Sequence, residues 1–397
     1  MSFRDRRFPA LNAVRAIGAL MVVLTHAAFN TGQINHGWTG AALARLDFGV
    51  TLFFVLSGFL LSRPYFLTRA LGRPFPSTRH FWWKRALRIL PLYWVVVVAA
   101  LLLDPENRDS GWRDWLGDLT LTQLYRHSLL SSSLTQMWSL CTEVAFYLLL
   151  PLLCVLLVRG GRRTNGRATG LHLPTVYWRA GVLALLGLVW QVVVAQIPGH
   201  EGHYAQWLPG YLPWFLVGVC FAALSASLAV DPRPHPVERM GHDLVGCWVL
   251  AVAVFAIAWS PVAGPRTLLT PGGWEAGAKL VLYTVAGAFF LLPLVFGPER
   301  DGWVRTRLSG PVPVWLGDIS YGVFALHMLF LNLVFRLLDI PVFTGHFVTV
   351  VVATLLLTLP VASASFYLFE RRVLRAKDAR FVARLDARAQ PVRATVR

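Results

Sequence analysis

The chain has 397 residues, 56% of them hydrophobic and only 14% charged, with a mean hydropathy of +0.55 and a net charge of +17. A soluble domain carries about a quarter charged residues, so this composition excludes an ordinary soluble fold and indicates a polytopic membrane protein. The basic residues lie between apolar runs rather than on one surface, which fits topology signals and contacts with anionic membrane lipids and argues against nucleic acid as a partner.

Windows of about 19 residues predict ten membrane-spanning helices and hence an all-α transmembrane bundle. They fall at 10–30, 47–67, 87–103, 139–158, 179–197, 207–229, 243–260, 276–297, 314–337 and 346–369. The first opens after a basic start, as a signal peptide does, but it lacks a small-x-small cleavage site and is expected to remain as an uncleaved span. It also carries Arg15 and His26. An ionisable group at membrane depth costs on the order of 3 kcal/mol. These two are eleven residues apart, about three turns and roughly 16 Å of rise, so they share one face. Two such groups on one stripe suggest a face turned into the protein or a wet cavity.

The loops predicted on one side hold 29 Lys and Arg; those on the other hold 5. This asymmetry predicts ten spans with both termini cytoplasmic, and the loop 104–138 facing outward. Residues 1–375 form the expected transmembrane domain and 376–397 a basic cytoplasmic tail, in a multi-pass protein of a bacterial cell membrane. Helix direction then puts Arg15 towards the cytoplasmic side, with His26 and Glu143 at similar depth in the outer half.

Four stretches carry polar chemistry inside apolar helices. FFVLSGFLLSRPY holds Ser57 and Gly58, small residues that favour close helix packing; Ser57 as a nucleophile is the lesser reading, since no G-x-S-x-G surrounds it. FWWKRALRILPLYW puts Lys84, Arg85 and Arg88 at the mouth of the third span. They read either as a positive-inside anchor with an aromatic belt or as a phosphate site, Arg85 and Arg88 sharing a face. WSLCTEVAFYLLLP, which opens at Trp138, holds Glu143, either a solvated interfacial carboxylate or a functional one, with Tyr147 four residues on and able to hydrogen-bond it. ISYGVFALHMLFLN holds Tyr321 and His327, the latter more often a satisfied core residue than a catalyst in such surroundings.

Cys141, Cys154, Cys220 and Cys247 sit in or beside apolar runs without metal-ligand spacing, and no metal is expected. His36, His127, His200 and His203 lie in predicted outer loops or at their edges and receive no role. No HExxH, Walker or GxGxxG motif supports a metalloprotease, nucleotidase or dehydrogenase.

The order Arg-x10-His, FFVLSGF, (K/R)RxxRIxP, WSLxxExxFY and SYGxFxLH resembles the acyltransferase-3 family over about residues 8 to 375. Members are integral membrane enzymes that O-acylate glycans, lipids and secondary metabolites. The resemblance implies Arg15 and His26 as the signature pair of the catalytic site, with His26 as catalytic base and Glu143 as its partner. It implies Lys84, Arg85 and Arg88 as contacts for the phosphates of an acyl-CoA donor. Ser57, Trp138, Tyr147, Tyr321 and His327, on the same motifs, are the expected substrate contacts. The sequence is expected to be of the stand-alone form, without the C-terminal SGNH-type domain of longer members, which sets it apart from the polysaccharide acceptor of those fused proteins; stand-alone members include some that acylate macrolide sugars.

Acyl transfer to a hydroxyl needs a base and stabilisation of an oxyanion, and a neutral imidazole suits the first task. Direct transfer from a ternary complex is preferred to an acyl-histidine intermediate. The rival reading is a transporter or flippase that uses the same buried groups as substrate or proton contacts. A structural or regulatory subunit is a weaker third, because it has no need of Arg and His on one stripe.

Overall fold

The computed structural model describes residues 8–126, 130–159, 171–194, 196–197, 204–267, 271–298 and 302–373. The expected tail at 376–397, and His127, His200 and His203, lie outside the described residues. Every regular element among the described residues is helical. In order they are α1 (Ala10–Asn30), α2 (Gly37–Ala44), α3 (Phe48–Ala70), α4 (Thr78–Leu103), α5 (Trp112–Leu119), α6 (Met137–Val158) and α7 (Leu173–Val194). Then come α8 (Leu208–Leu228), α9 (Pro236–Met240), α10 (Leu244–Ile257), α11 (Gly273–Phe296), α12 (Trp303–Leu308), α13 (Pro311–Leu337) and α14 (Phe347–Ser365), which a π-helical turn at Phe366–Glu370 extends.

Nine of the described helical segments are long and apolar enough to cross a membrane. Nine of the ten expected spans match them closely. The largest shift is at α4, which starts nine residues before the expected 87 because Ser77 caps it by accepting from His80 N at 3.4 Å. Its first turns are basic and aromatic, so a hydropathy window passes over them. The segment expected at 243–260 forms the 14-residue α10. That is about 21 Å of rise against a hydrocarbon core of about 30 Å.

α10 nevertheless joins the two ends of the bundle. At its start, Arg305 donates to Gly241 O (3.3 Å) and to Pro298 O (2.8 Å) just past the end of α11. At its far end, the buried Arg45 donates to Ala258 O (2.7 Å), Pro265 O (3.2 Å) and Gly264 O, beside the first turns of α11. Residues 258–265 thus continue α10 as a segment in which one guanidinium satisfies three backbone carbonyls.

α3, α8 and α13 are the most enclosed long helices and α7 and α14 the least. The enclosure rests on glycine. A methyl on Gly58 of α3 would collide with the Phe215 carbonyl of α8, and one on Gly218 with the Val55 carbonyl of α3. Without a hydrophobic drive between helices in lipid, such close backbone approach is what holds them. α1 meets α3 in the same way, where Gly49 lies against the Gly18 carbonyl. The outer faces of α6 and α7 expose Leu148, Leu152, Leu156, Leu185 and Val189, an apolar belt suited to lipid.

The expected outer loop 104–138 is pinned to the end of α13. The carboxylate of Asp104 accepts from Ser132 Oγ (2.9 Å), Ser133 Oγ (2.5 Å) and Asn332 Nδ2 (3.3 Å), and Arg336 lies 3.6 Å away.

Candidate functional site

Two cavities lie inside the bundle. The first, about 100 Å³, is lined by Arg15 (α1), Ser57 (α3), Arg85 and Arg88 (α4), Glu143 and Tyr147 (α6) and Tyr321 (α13), with apolar walls from α3. Glu143 accepts hydrogen bonds from Ser57 and, at 2.5 Å, from Tyr147 on the next turn of its own helix. α4 is fixed beside it by Trp82, which donates to Tyr147 O at 3.1 Å, and by Tyr321, which donates to Ile89 O at 2.8 Å. Arg15 and Arg85 act electrostatically on Glu143. The Nε of Arg85 is buried and has no hydrogen-bond partner among the described residues. Such orphaned donors are rare and mark the place of a missing ligand or water. A cavity with three guanidinium groups and one carboxylate has a cationic excess and suits an anion.

The second cavity, about 60 Å³, is lined by His26, Thr25, Asp47, Lys279, Gln191, Gln206 and the aromatic side chains of Trp138, Tyr211 and Trp214. Asp47 is held by Lys279 at 2.6 Å and by Tyr283 at 2.5 Å, both from α11. Thr25 Oγ1 and Gln191 Oε1 are buried and have no hydrogen-bond partner among the described residues. An amide oxygen and a hydroxyl held open this way match the hydroxyl groups of a polar ligand. Val50 lines both cavities, and it is the one residue common to their linings.

Partners fix the tautomer of His26. Its Nδ1 lies 2.8 Å from Val22 O. A carbonyl only accepts, so Nδ1 carries the proton and Nε2 of the neutral ring is a lone pair. Behind it, the buried His327 directs Nδ1 at Phe324 O (2.6 Å) and Val323 O (3.2 Å), and its Nε2 lies 3.4 Å from His26 Nδ1. By the same reasoning His327 Nε2 is an acceptor.

A family model described as an acyltransferase domain matches residues 8–366. The chain belongs to the acyltransferase-3 family. It is 25% identical over 352 residues to a protein named "Putative O-acetyltransferase" from Staphylococcus aureus (strain COL), covering 83% of this chain and 51% of that one. It is 26% identical over 399 residues to "Putative peptidoglycan O-acetyltransferase YrhL" of Bacillus subtilis, covering 93% of this chain and 57% of that one. Acyltransferase MdmB of Streptomyces mycarofaciens is 25% identical over 359 residues, 84% of this chain and 81% of that one. The chain spans about half the length of the first curated relatives it matches. No solved structure matches it.

The family signature is thus divided between two chambers. Arg15, Ser57, Arg85, Arg88, Glu143, Tyr147 and Tyr321 come together in the first; His26 and Trp138 are in the second. The expected partnership of Glu143 with His26 is not the one formed: the carboxylate is bonded to Ser57 and Tyr147, while the imidazole faces Val22 and His327. His327, expected to touch substrate, is fully buried and lines neither cavity. Lys84 also stays outside both linings. Ser57 faces the cavity, and the packing role expected of both residues belongs to Gly58. Sequence reasoning missed Asp47, Lys279, Gln191 and Val50. Asp47 and Lys279 stood at span edges, where charge is ordinary, and nothing local showed that they pair across 232 residues.

Proposed function

We propose that this chain is a membrane O-acyltransferase that moves a short acyl group, such as acetyl, from acyl-CoA to a hydroxyl of a glycan, glycolipid or secondary metabolite such as a macrolide sugar. The observation that carries the reading is the 2.8 Å contact of His26 Nδ1 with Val22 O: it assigns the proton to Nδ1 and leaves a basic Nε2 on a residue that lines a cavity with polar groups unpartnered among the described residues. Family membership, with two relatives named for O-acetyl transfer and one named an acyltransferase, supplies the reaction class.

Donor phosphates bind at Arg85 and Arg88, and the thioester arm extends past Arg15 towards Val50. The acceptor hydroxyl occupies the second cavity. His26 Nε2 takes its proton as the oxygen attacks the thioester carbonyl, an O–C bond forms and the tetrahedral intermediate collapses with C–S cleavage. The imidazolium returns the proton to the departing thiolate. Transfer is direct, with no acyl group on His26. Arg15 draws the anionic donor inward, and Glu143, held by two hydroxyls, balances the guanidinium charge. In this reading the protein lies in the bacterial cell membrane with ten crossings, the tenth made by α10 with residues 258–265, and both termini are cytoplasmic.

The test expresses wild type and His26→Ala at equal membrane levels in a host deleted for the gene. Lipids, envelope glycans and secreted metabolites are then profiled by mass spectrometry. An ester made by wild type and missing with His26→Ala is the expected result. Persistence of the ester in the variant would overturn the role of His26, and a solute that only changes compartment would favour transport instead.

A further inference from the structure

Away from both cavities, the ends of α3 and α6 nearest the Arg85 mouth enclose a recess of about 240 Å³ lined by Arg69, Arg73, Pro74, Phe75, Val155, Val158 and Arg159. We propose that this recess binds the phosphate headgroup of an anionic phospholipid. Three guanidinium groups from two helix ends surround an apolar floor, and the lining contains no carboxylate. Planar guanidinium forks match phosphate oxygens, and basic pockets between helix ends at the membrane surface take anionic headgroups.

The recess is continuous with the place a fatty chain needs. Arg159 also borders a groove of about 360 Å³ between α6 and α7, floored by Leu156, Leu157, Val182 and Leu183. Trp178 stands at the edge of that groove, 73% exposed, as an interfacial aromatic does. Arg179, on the same wall, is already engaged: it donates to Leu156 O and Arg159 O, each at 2.6 Å, and so closes the end of α6. The headgroup therefore falls to Arg73 and Arg159, with Arg69 alongside. A zwitterionic headgroup is the poorer occupant, because its ammonium group would enter a ring of cations with no acidic side chain to receive it. The bound lipid ties the ends of α3 and α6, the two helices whose Ser57 and Glu143 meet deeper in the bundle.

The experiment needs no knowledge of substrate. The full chain is reconstituted in nanodiscs of phosphatidylcholine alone or with phosphatidylglycerol, and the unfolding midpoint and the lipid retained in native mass spectrometry are recorded. Phosphatidylglycerol is expected to raise the midpoint and to remain bound. Arg73→Gln with Arg159→Gln is expected to abolish that rise and to weaken retention roughly thirtyfold, the loss of two guanidinium–headgroup contacts. The same double variant is expected to keep the midpoint of wild type in phosphatidylcholine. Arg371→Gln with Arg372→Gln, an exposed pair elsewhere at this end, is expected to retain the rise. Equal midpoints in the two lipids overturn the proposal, as does equal loss in both double variants, which would make the effect one of overall charge. A rise produced by soluble glycerol phosphate in phosphatidylcholine discs would instead show a site for free phosphate.

Discussion

His327 Nε2 stands 3.4 Å from His26 Nδ1, and the backbone carbonyls beside each ring leave His327 as acceptor and His26 as donor. Val22 O takes the shorter bond from the His26 proton, and His327 adds a second, longer acceptor that orients the base without adding charge. His26→Ala is expected to lower turnover by about 10²–10⁴-fold. His327→Leu, which removes the acceptor and keeps the bulk, is expected to lower kcat about tenfold or more with KM for both substrates unchanged. His327→Gln, whose side-chain oxygen reaches the position of Nε2, is expected to restore part of it. Initial rates with membranes of matched protein content check the order wild type, Gln, Leu; a fall in KM terms alone would assign His327 to binding.

Arg85 and Arg88 line the cavity from one face of α4, and the unpartnered Nε of Arg85 leaves a donor for an anion. Replacing either with Gln is expected to raise KM for acyl-CoA about tenfold or more, the loss of a charged hydrogen bond worth about 1.5–3 kcal/mol. The same variants are expected to match wild type with an acyl thioester of N-acetylcysteamine, which has no phosphates. Parallel titrations of the two donors provide the check.

Val50 stands between the chambers, and the Gly18–Gly49 contact holds its backbone against α1. Val50→Ala is expected to admit acyl groups a few carbons longer than the native one. Val50→Phe is expected to stop transfer while leaving donor binding intact. Competition between acyl-CoA donors of increasing length, read by product mass, decides the point.

Gly58 and Gly218 have no room for a methyl group. Gly58→Ala or Gly218→Ala is expected to destabilise the bundle by about 1–3 kcal/mol, the usual cost of overpacking. Lowered yield of monodisperse protein and an earlier thermal midpoint are the measurements.

Burial alone would raise the pKa of Asp104, but the hydroxyls of Ser133 and Ser132, the Asn332 amide and the Glu106 N–H outweigh it and hold the carboxyl below its ordinary value. A depressed folded-state pKa gives stability that is complete above the unfolded value, about 3.9, and is lost as pH falls through the folded one. Wild type is therefore expected to lose midpoint as pH drops below about 4, and Asp104→Asn is expected to show a smaller loss over that interval. Thermal scans of the two proteins between neutral pH and pH 3 test the sign.

Much of the architecture was legible because apolar length is a property of consecutive residues. The run 10–30 matches α1 at both ends. Tyr147 beside Glu143 was legible too, since a helix makes neighbours of residues four apart. The division of the site was not. Arg15 and His26 lie on one stripe as the spacing implies, yet Val50, from another helix, partitions the space they face. α10 is shorter than its apolar run implied, and the segment after it is held by Arg45 on carbonyls more than 200 residues away, a contact outside any window.

Val50 is the one residue that the linings of the two cavities share, and on the proposed reaction its isopropyl group is the apolar barrier between them. On the proposed reaction, an acyl group moves through that barrier one way while a proton moves from hydroxyl to thiol the other way. The exchange transfers no net charge, so the membrane potential neither drives nor opposes it. In that reaction a thin apolar partition passes the acyl group between the two chambers without a net movement of charge.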